Sequence, residues 1–260
     1  MTFSTGCLVI IIISAIFGSV VGSFLNVCIF RIPAGKSIIL PASHCVNCHH
    51  PIKFYDNIPI ISYLILRGRC RNCNIKISPV YLAVEFLTAT LSVLLLLKYG
   101  LTLQYLLTFI FSSSLVVITF IDLEHQIIPD IITLPGIPLF FLSAIFVMNV
   151  RPLDSLLGIV IGGGLFYLIA AGYQLLRKTE GMGGGDIKLM GMLGAFFGWQ
   201  SLWFILLAGS LLGAIVGISV MIFKGKDMKY AIPFGPFLSI SAVAYIFFGK
   251  YVTGLLFVRY

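Results

Sequence analysis

CLVIIIISAIFGSVVGSFLNVCIF, residues 7–30, contains no charged side chain. A run of that kind exceeds the roughly 20 apolar residues that a helix needs to cross a bilayer. No basic segment precedes it and no small-residue cleavage signature follows it, so it is expected to be a retained span rather than a signal peptide. Comparable runs recur at 80–97, 103–121, 131–149, 155–176, 187–199, 201–223 and 232–249. The chain of 260 residues is 59% hydrophobic and 10% charged, where soluble domains carry about 25% charged residues. Its mean hydropathy is +1.08. These values exclude a water-soluble domain. The expected fold is an all-α polytopic membrane protein of about eight transmembrane helices, with the lipid bilayer as its surroundings.

The formal charge of +8 has two readings, a nucleic-acid footprint or loop orientation. With the N-terminus outside, the inside loops hold Arg31, Lys36, Lys53, Arg67, Arg69, Arg71, Lys76, Arg177, Lys178, Lys188, Lys224, Lys226 and Lys229. The outside loops keep only Lys98, Arg151, Lys250 and Arg259. By the positive-inside rule both termini lie outside and residues 31–79 lie in the cytoplasm. The basic excess is topological, and no nucleic-acid partner is expected. Three regions follow: a first transmembrane helix at 1–30, a small cytoplasmic domain at 31–79, and a transmembrane domain at 80–260.

The small domain holds four of the six cysteines. Cys45-Val-Asn-Cys48 and Cys70-Arg-Asn-Cys73 are two CxxC knuckles at a spacing close to that of a zinc ribbon. Two tight turns presenting two thiolates each supply the four soft ligands of a closed tetrahedral site. A disulfide pair is the rival, disfavoured in a compartment that keeps thiols reduced. A four-cysteine zinc has no open position, so its contribution is to folding. His44, His49 and His50 flank the first knuckle as solvated loop residues able in principle to exchange into the shell. Cys7 and Cys28, within the first span, read as small apolar packing residues.

Acids at or within spans need a reason, because an ionised carboxylate in hydrocarbon is costly. Asp56, Asp154, Glu180 and Asp227 fall in polar loops; Glu85, Asp122, Asp130 and Asp186 do not. Asp122 ends the apolar run Leu115–Ile121, and Asp186 follows Gly181-Met182-Gly183-Gly184-Gly185 and opens the next apolar stretch. Both fall at cytoplasmic helix ends. Glycine lets backbone approach closely, so the Gly183–Gly185 run can admit an extended peptide beside Asp186. Two neighbouring carboxylates resist joint ionisation and separate into an acid and a base, the apparatus of water-mediated peptide hydrolysis. Interfacial capping competes with that reading, most simply for Asp186 and Asp130. A transporter with intramembrane acids and a scaffold docking through its cysteine domain also remain open at this point.

Ile121-Asp122-Leu-Glu-His-Gln-Ile-Ile-Pro129-Asp130 and Gly184-Gly185-Asp186-Ile-Lys188-Leu189 resemble the signature of the type IV prepilin peptidases, GxGD-type membrane aspartyl proteases. Gly22-Ser23-Phe24-Leu25-Asn26-Val27, both knuckles, Glu85-Phe86-Leu87-Thr88-Ala89 and Pro233-Phe234-Gly235-Pro236-Phe237 agree with that family in order. The resemblance implies a bacterial inner-membrane enzyme that removes the basic leader of type IV prepilins or type II secretion pseudopilins, after a glycine and on the cytoplasmic side. It implies Asp122 and Asp186 as the catalytic pair, with Asp130, Gly184, Gly185 and Lys188 as secondary active-site candidates. The cysteine domain implies a second activity, N-methylation of the new N-terminus by S-adenosylmethionine, for which Glu85 is the only residue suggested. The first knuckle departs slightly from the family in having Val46-Asn47 where proline is common. Met190, Met192, Phe196, Phe197 and Trp199 read as packing and interface residues. Gly162–Gly164 reads as a close helix contact rather than a phosphate loop.

Overall fold

A computed structural model describes residues 5–177, 183–224 and 233–256. Lys178, Glu180, Gly181, Met182, Lys226, Asp227, Lys229, Arg259 and the first residue of the eighth expected span lie outside the described residues. Every expected span falls on a helix. Five candidate spans are long and apolar enough to cross a membrane among the described residues: Gly6–Arg31, Pro79–Tyr99, Leu103–His125, Pro152–Leu176 and Trp199–Phe223.

The helices in chain order are α1 Thr5–Arg31, α2 Ile61–Ile65, α3 Pro79–Tyr99, α4 Leu103–His125, α5 Asp130–Phe146, α6 Pro152–Ile159, α7 Phe166–Arg177, α8 Gly184–Phe197, α9 Trp199–Lys224 and α10 Gly235–Leu256. A π-helical segment, Val160–Leu165, joins α6 to α7, so the fifth expected span is one rod with a widened turn at its glycines. The sixth is α8, whose 14 residues rise about 21 Å, short of the ~30 Å hydrocarbon layer.

The sequence sets the helix ends locally. Ser78 accepts from the Val80 N–H at 3.3 Å and Pro79 occupies the first turn, so α3 starts there. Gly100 and Gly198 take positive φ and stop α3 and α8. Gln126, also at positive φ, ends α4 four residues after Asp122, and Pro129 then precedes α5.

The chain divides into two compact units, Met1–Val117 and Ile118–Tyr260. In the first, α1 packs along α3 through Gly18 and Gly22. A Cβ on either would lie 2.7 Å from a backbone atom of α3, the Cα of Ala89 or of Glu85. This is small-xxx-small contact, which brings backbones together where lipid offers no hydrophobic drive. Hydroxyls secure α1 to α3, Ser14 to Ser92 at 2.8 Å, and α3 to α4, Ser92 to Tyr105 at 2.7 Å.

The second unit is built around α8, which packs against α5, α6 and the π segment. Leu189, Met190, Met192, Leu193 and Phe196 are fully buried on it. Gly158 meets Gly194, and Gly162 meets the Met190 backbone, too closely for any side chain. Phe196 stands edge-on to Phe140 and Phe197 at 5.7 and 4.9 Å. Packing is thus the role these methionines, aromatics and glycines fill. The buried stretch of α8 begins at Leu189, so Asp186 stands in the less buried first turn just before it.

Candidate active site and metal centre

Asp122 occupies the last turn of α4 and is 5% exposed. The first N–H groups of a helix have no partner inside it, and the N–H of Gly235, first residue of α10, donates to Asp122 Oδ2 at 3.0 Å. Capping thus occurs at Asp122, toward a different helix. Asp186 sits half-buried in the first turn of α8. Its Oδ2 lies 3.3 Å from where a Gly183 side chain would begin.

The two aspartates line one cavity of about 810 Å³, with Gly183, Gly184, Gly185, Ile128 and Tyr173 among its walls. The charge of Asp122 is near enough to act on the Asp186 carboxylate. Ile128 is a wedge at this wall. A side chain on Gly185 would meet its Cβ at 2.7 Å, and one on Gly235 would meet its Cδ1 at 3.2 Å. The glycines beside the aspartates are therefore sites of close approach, and they leave backbone-lined space next to both carboxylates. Such a site can hold an extended peptide against an acid and a base.

The secondary candidates separate. Gly184 and Gly185 line the cavity, whereas Asp130 and Lys188 do not. Lys188 Nζ donates to both Asp130 oxygens at 2.7 Å, bridging α8 to the start of α5 on an exposed surface. Sequence reasoning gave no role to Ile128 or Gly235, although both stand inside quoted motifs. Tyr173 carried no signal at all, since its place on the wall depends on how α7 packs.

Glu85 is buried on α3, and its Oε2 accepts the Ile60 N–H at 2.7 Å. It ties the residue before α2 to α3.

The four cysteines of the knuckles converge, with all ligand sulfurs within 4.8 Å of one another. The knuckles are copies. The Cys45 N–H donates to His50 O at 3.0 Å and the Cys70 N–H to Ile75 O at 2.9 Å. His49 and Asn74 each turn through positive φ, and the bridges His44–Pro51 and Arg69–Lys76 close the two turns. All six cysteines are free thiols. The Sγ atoms of Cys45 and Cys73 stand 3.7 Å apart, against about 2.05 Å in a disulfide. Backbone N–H groups of Cys48 and Asn47 draw the Cys45 thiol down, and that of Ile75 draws Cys73 down to about 6. The His50 N–H favours the Cys48 thiolate too, but desolvation and the neighbouring thiols hold it up to about 11. Four sulfurs so placed form a ligand set able to hold a metal ion. No histidine joins the cluster; His44 Nδ1 is instead 3.0 Å from Ala42 O.

Residues 109–218 match the model of the Type IV leader peptidase family, and residues 16–99 that of the Bacterial Peptidase A24 N-terminal domain. A prepilin leader peptidase/N-methyltransferase of Pseudomonas putida is 35% identical, covering 92% of this chain and 91% of its own. Proteins of the same name from Aeromonas hydrophila and Pseudomonas aeruginosa are 37% and 33% identical over 92% and 95% of this chain and 90% and 93% of theirs. No solved structure matches.

Proposed function

Because this chain belongs to the type IV leader peptidase family, we propose that it cleaves the basic leader from type IV prepilins or type II secretion pseudopilins, with Asp122 and Asp186 as catalytic residues, and then N-methylates the new N-terminus. The observation that carries this reading is the pair of carboxylates, delivered by two different helices to one glycine-walled cavity. In such a pair one carboxyl holds a proton and the other does not. The ionised group takes a proton from water as the water oxygen attacks the scissile carbonyl. The protonated group gives its proton to the carbonyl oxygen. Collapse of the tetrahedral intermediate breaks the C–N bond, and a proton passes to the departing amine, so one water is consumed per bond. The two aspartates share these roles jointly.

The basic-residue distribution supports a cytoplasmic cavity mouth with both termini outside. The substrate's apolar helix then lies in the bilayer and its leader at the aspartates. Zinc is the metal that the knuckles fit. Tetrahedral Zn–S bonds of about 2.3 Å place sulfurs roughly 3.8 Å apart, close to the 3.7 Å between Cys45 and Cys73. Cys45, Cys48, Cys70 and Cys73 would fill that coordination shell and, so joined, would hold the 31–79 module together. S-adenosylmethionine is the methyl-donor substrate. Glu85 contributes to methyl transfer by position, fixing the module to α3.

The test is leader removal from a prepilin by the detergent-solubilised protein, beside Asp122→Ala and Asp186→Ala. Either substitution is expected to abolish cleavage while the protein still inserts. Normal cleavage by both variants sinks the assignment. Transfer of label from S-adenosylmethionine to the cleaved pilin tests the second activity.

A further inference from the structure

Glu85 is the seventh residue of α3, so its bond to the Ile60 N–H lies roughly 9 Å along that helix from Pro79 at 1.5 Å per residue. Ile60 directly precedes α2. The short helix therefore begins beside the body of a candidate membrane span, not out beyond its end. Two of its residues face the module. Ser62 Oγ accepts the Ile58 N–H at 3.0 Å and donates to Tyr55 O at 2.8 Å. The Tyr63 hydroxyl donates to Ile77 O at 3.4 Å, and its ring lies over Gly68.

The other face is unlike any ordinary extramembrane surface. Ile61, Leu64 and Ile65 stand at i, i+3 and i+4, which puts them on one side of a helix. They are 54%, 61% and 71% exposed. Arg67 and Arg69 follow at once, and the only acid of residues 31–79, Asp56, is already paired with Arg71 at 2.6 Å. An aliphatic face flanked by arginines, held at the depth of a membrane helix, matches the boundary between acyl chains and anionic headgroups.

We propose that α2 is an interfacial helix: its Ile61, Leu64 and Ile65 lie in the lipid at the bilayer surface, and Arg67 and Arg69 reach back to lipid phosphates. The cysteine module is thereby fastened flat to the membrane by lipid as well as by its two flanking helices. This requires only that α3 crosses the bilayer, and it stands apart from the peptidase reading.

The experiment uses the full chain in nanodiscs whose lipids carry bromine near the headgroup. Tryptophan emission of Leu64→Trp is compared with wild type, which supplies the signal of Trp199 and Trp203. Val46→Trp is the reference, since Val46 is 79% exposed in the first knuckle. The indole at position 64 is expected to emit to the blue and to be quenched several-fold more strongly than that at position 46. Ile61→Trp, on the same face, gives the same reading where Leu64→Trp does not reconstitute. Water-like emission, quenching no stronger than at position 46, or a blue shift that appears only when prepilin is added each overturns the lipid assignment; the last makes the face a protein-docking surface.

Discussion

Replacing Gly235 with alanine adds one methyl group beside the Asp122 carboxylate. The new Cβ would lie 2.6 Å from Asp122 Oδ2, 3.3 Å from its Cγ and 3.2 Å from Ile128 Cδ1. Heavy atoms reach their best separation at about 3.5–4.0 Å, so the oxygen must retreat by about 0.9 Å. Such a move stretches the 3.0 Å hydrogen bond from the Gly235 N–H beyond useful length. Crowding of this kind costs about 1–3 kcal/mol of stability. The larger effect is on the reaction, because a displacement near 1 Å at the reacting groups costs about 10²-fold in rate. We expect Gly235→Ala to insert and to cleave prepilin about 10²-fold more slowly in kcat, with KM little changed. Gly164→Ala is the control: its Cβ would meet nothing nearer than Val160 at 3.9 Å, and loss of a helical glycine is favourable. Initial rates over a range of prepilin concentrations, with thermal melting in the same detergent, separate catalysis from unfolding. A Gly235→Ala enzyme within about threefold of wild type, beside an inactive Asp122→Ala, refutes the placement of Asp122 against α10.

Asp130→Asn and Lys188→Ala remove an exposed ion pair worth about 0–1 kcal/mol, so cleavage is expected to fall by less than about tenfold, and the double variant to match either single one. Replacing Cys45 and Cys48 together by serine is expected to remove zinc, measured by elemental analysis, and to lower methylation more than cleavage. Chelation is expected to open Cys45, Cys48, Cys70 and Cys73 to alkylation while zinc-loaded protein protects all four, as peptide mass mapping reads directly. Gly22→Leu drives a side chain into the α3 backbone at Glu85 and is expected to cost about 1–3 kcal/mol, seen as a lower melting temperature; an unchanged melt argues against the α1–α3 contact.

What was legible early was chemistry that travels with composition and spacing. Apolar length alone located the spans, because a bilayer admits few backbones and demands a minimum run of hydrocarbon-compatible residues. The knuckles were legible because both ligands of each turn are three residues apart, so local geometry nearly fixes them. Asp130 and Lys188 stand in the motif beside the aspartates, but their pairing with each other on the surface joins two helices and is not legible from the motif.

From the sequence by itself come the membrane class, the paired cysteine knuckles and the short roster of acids that need explaining, since these depend on residue type and near neighbours. Only tertiary structure decided that Asp122 and Asp186, 64 positions apart in the chain, face one cavity, that Asp122 caps α10 rather than its own helix, and that Glu85 anchors α2. Each of those facts is a contact between separate helices, and helix packing in lipid is set by how closely small residues such as Gly158, Gly162 and Gly194 let backbones approach. A linear pattern names such residues without saying what they will meet.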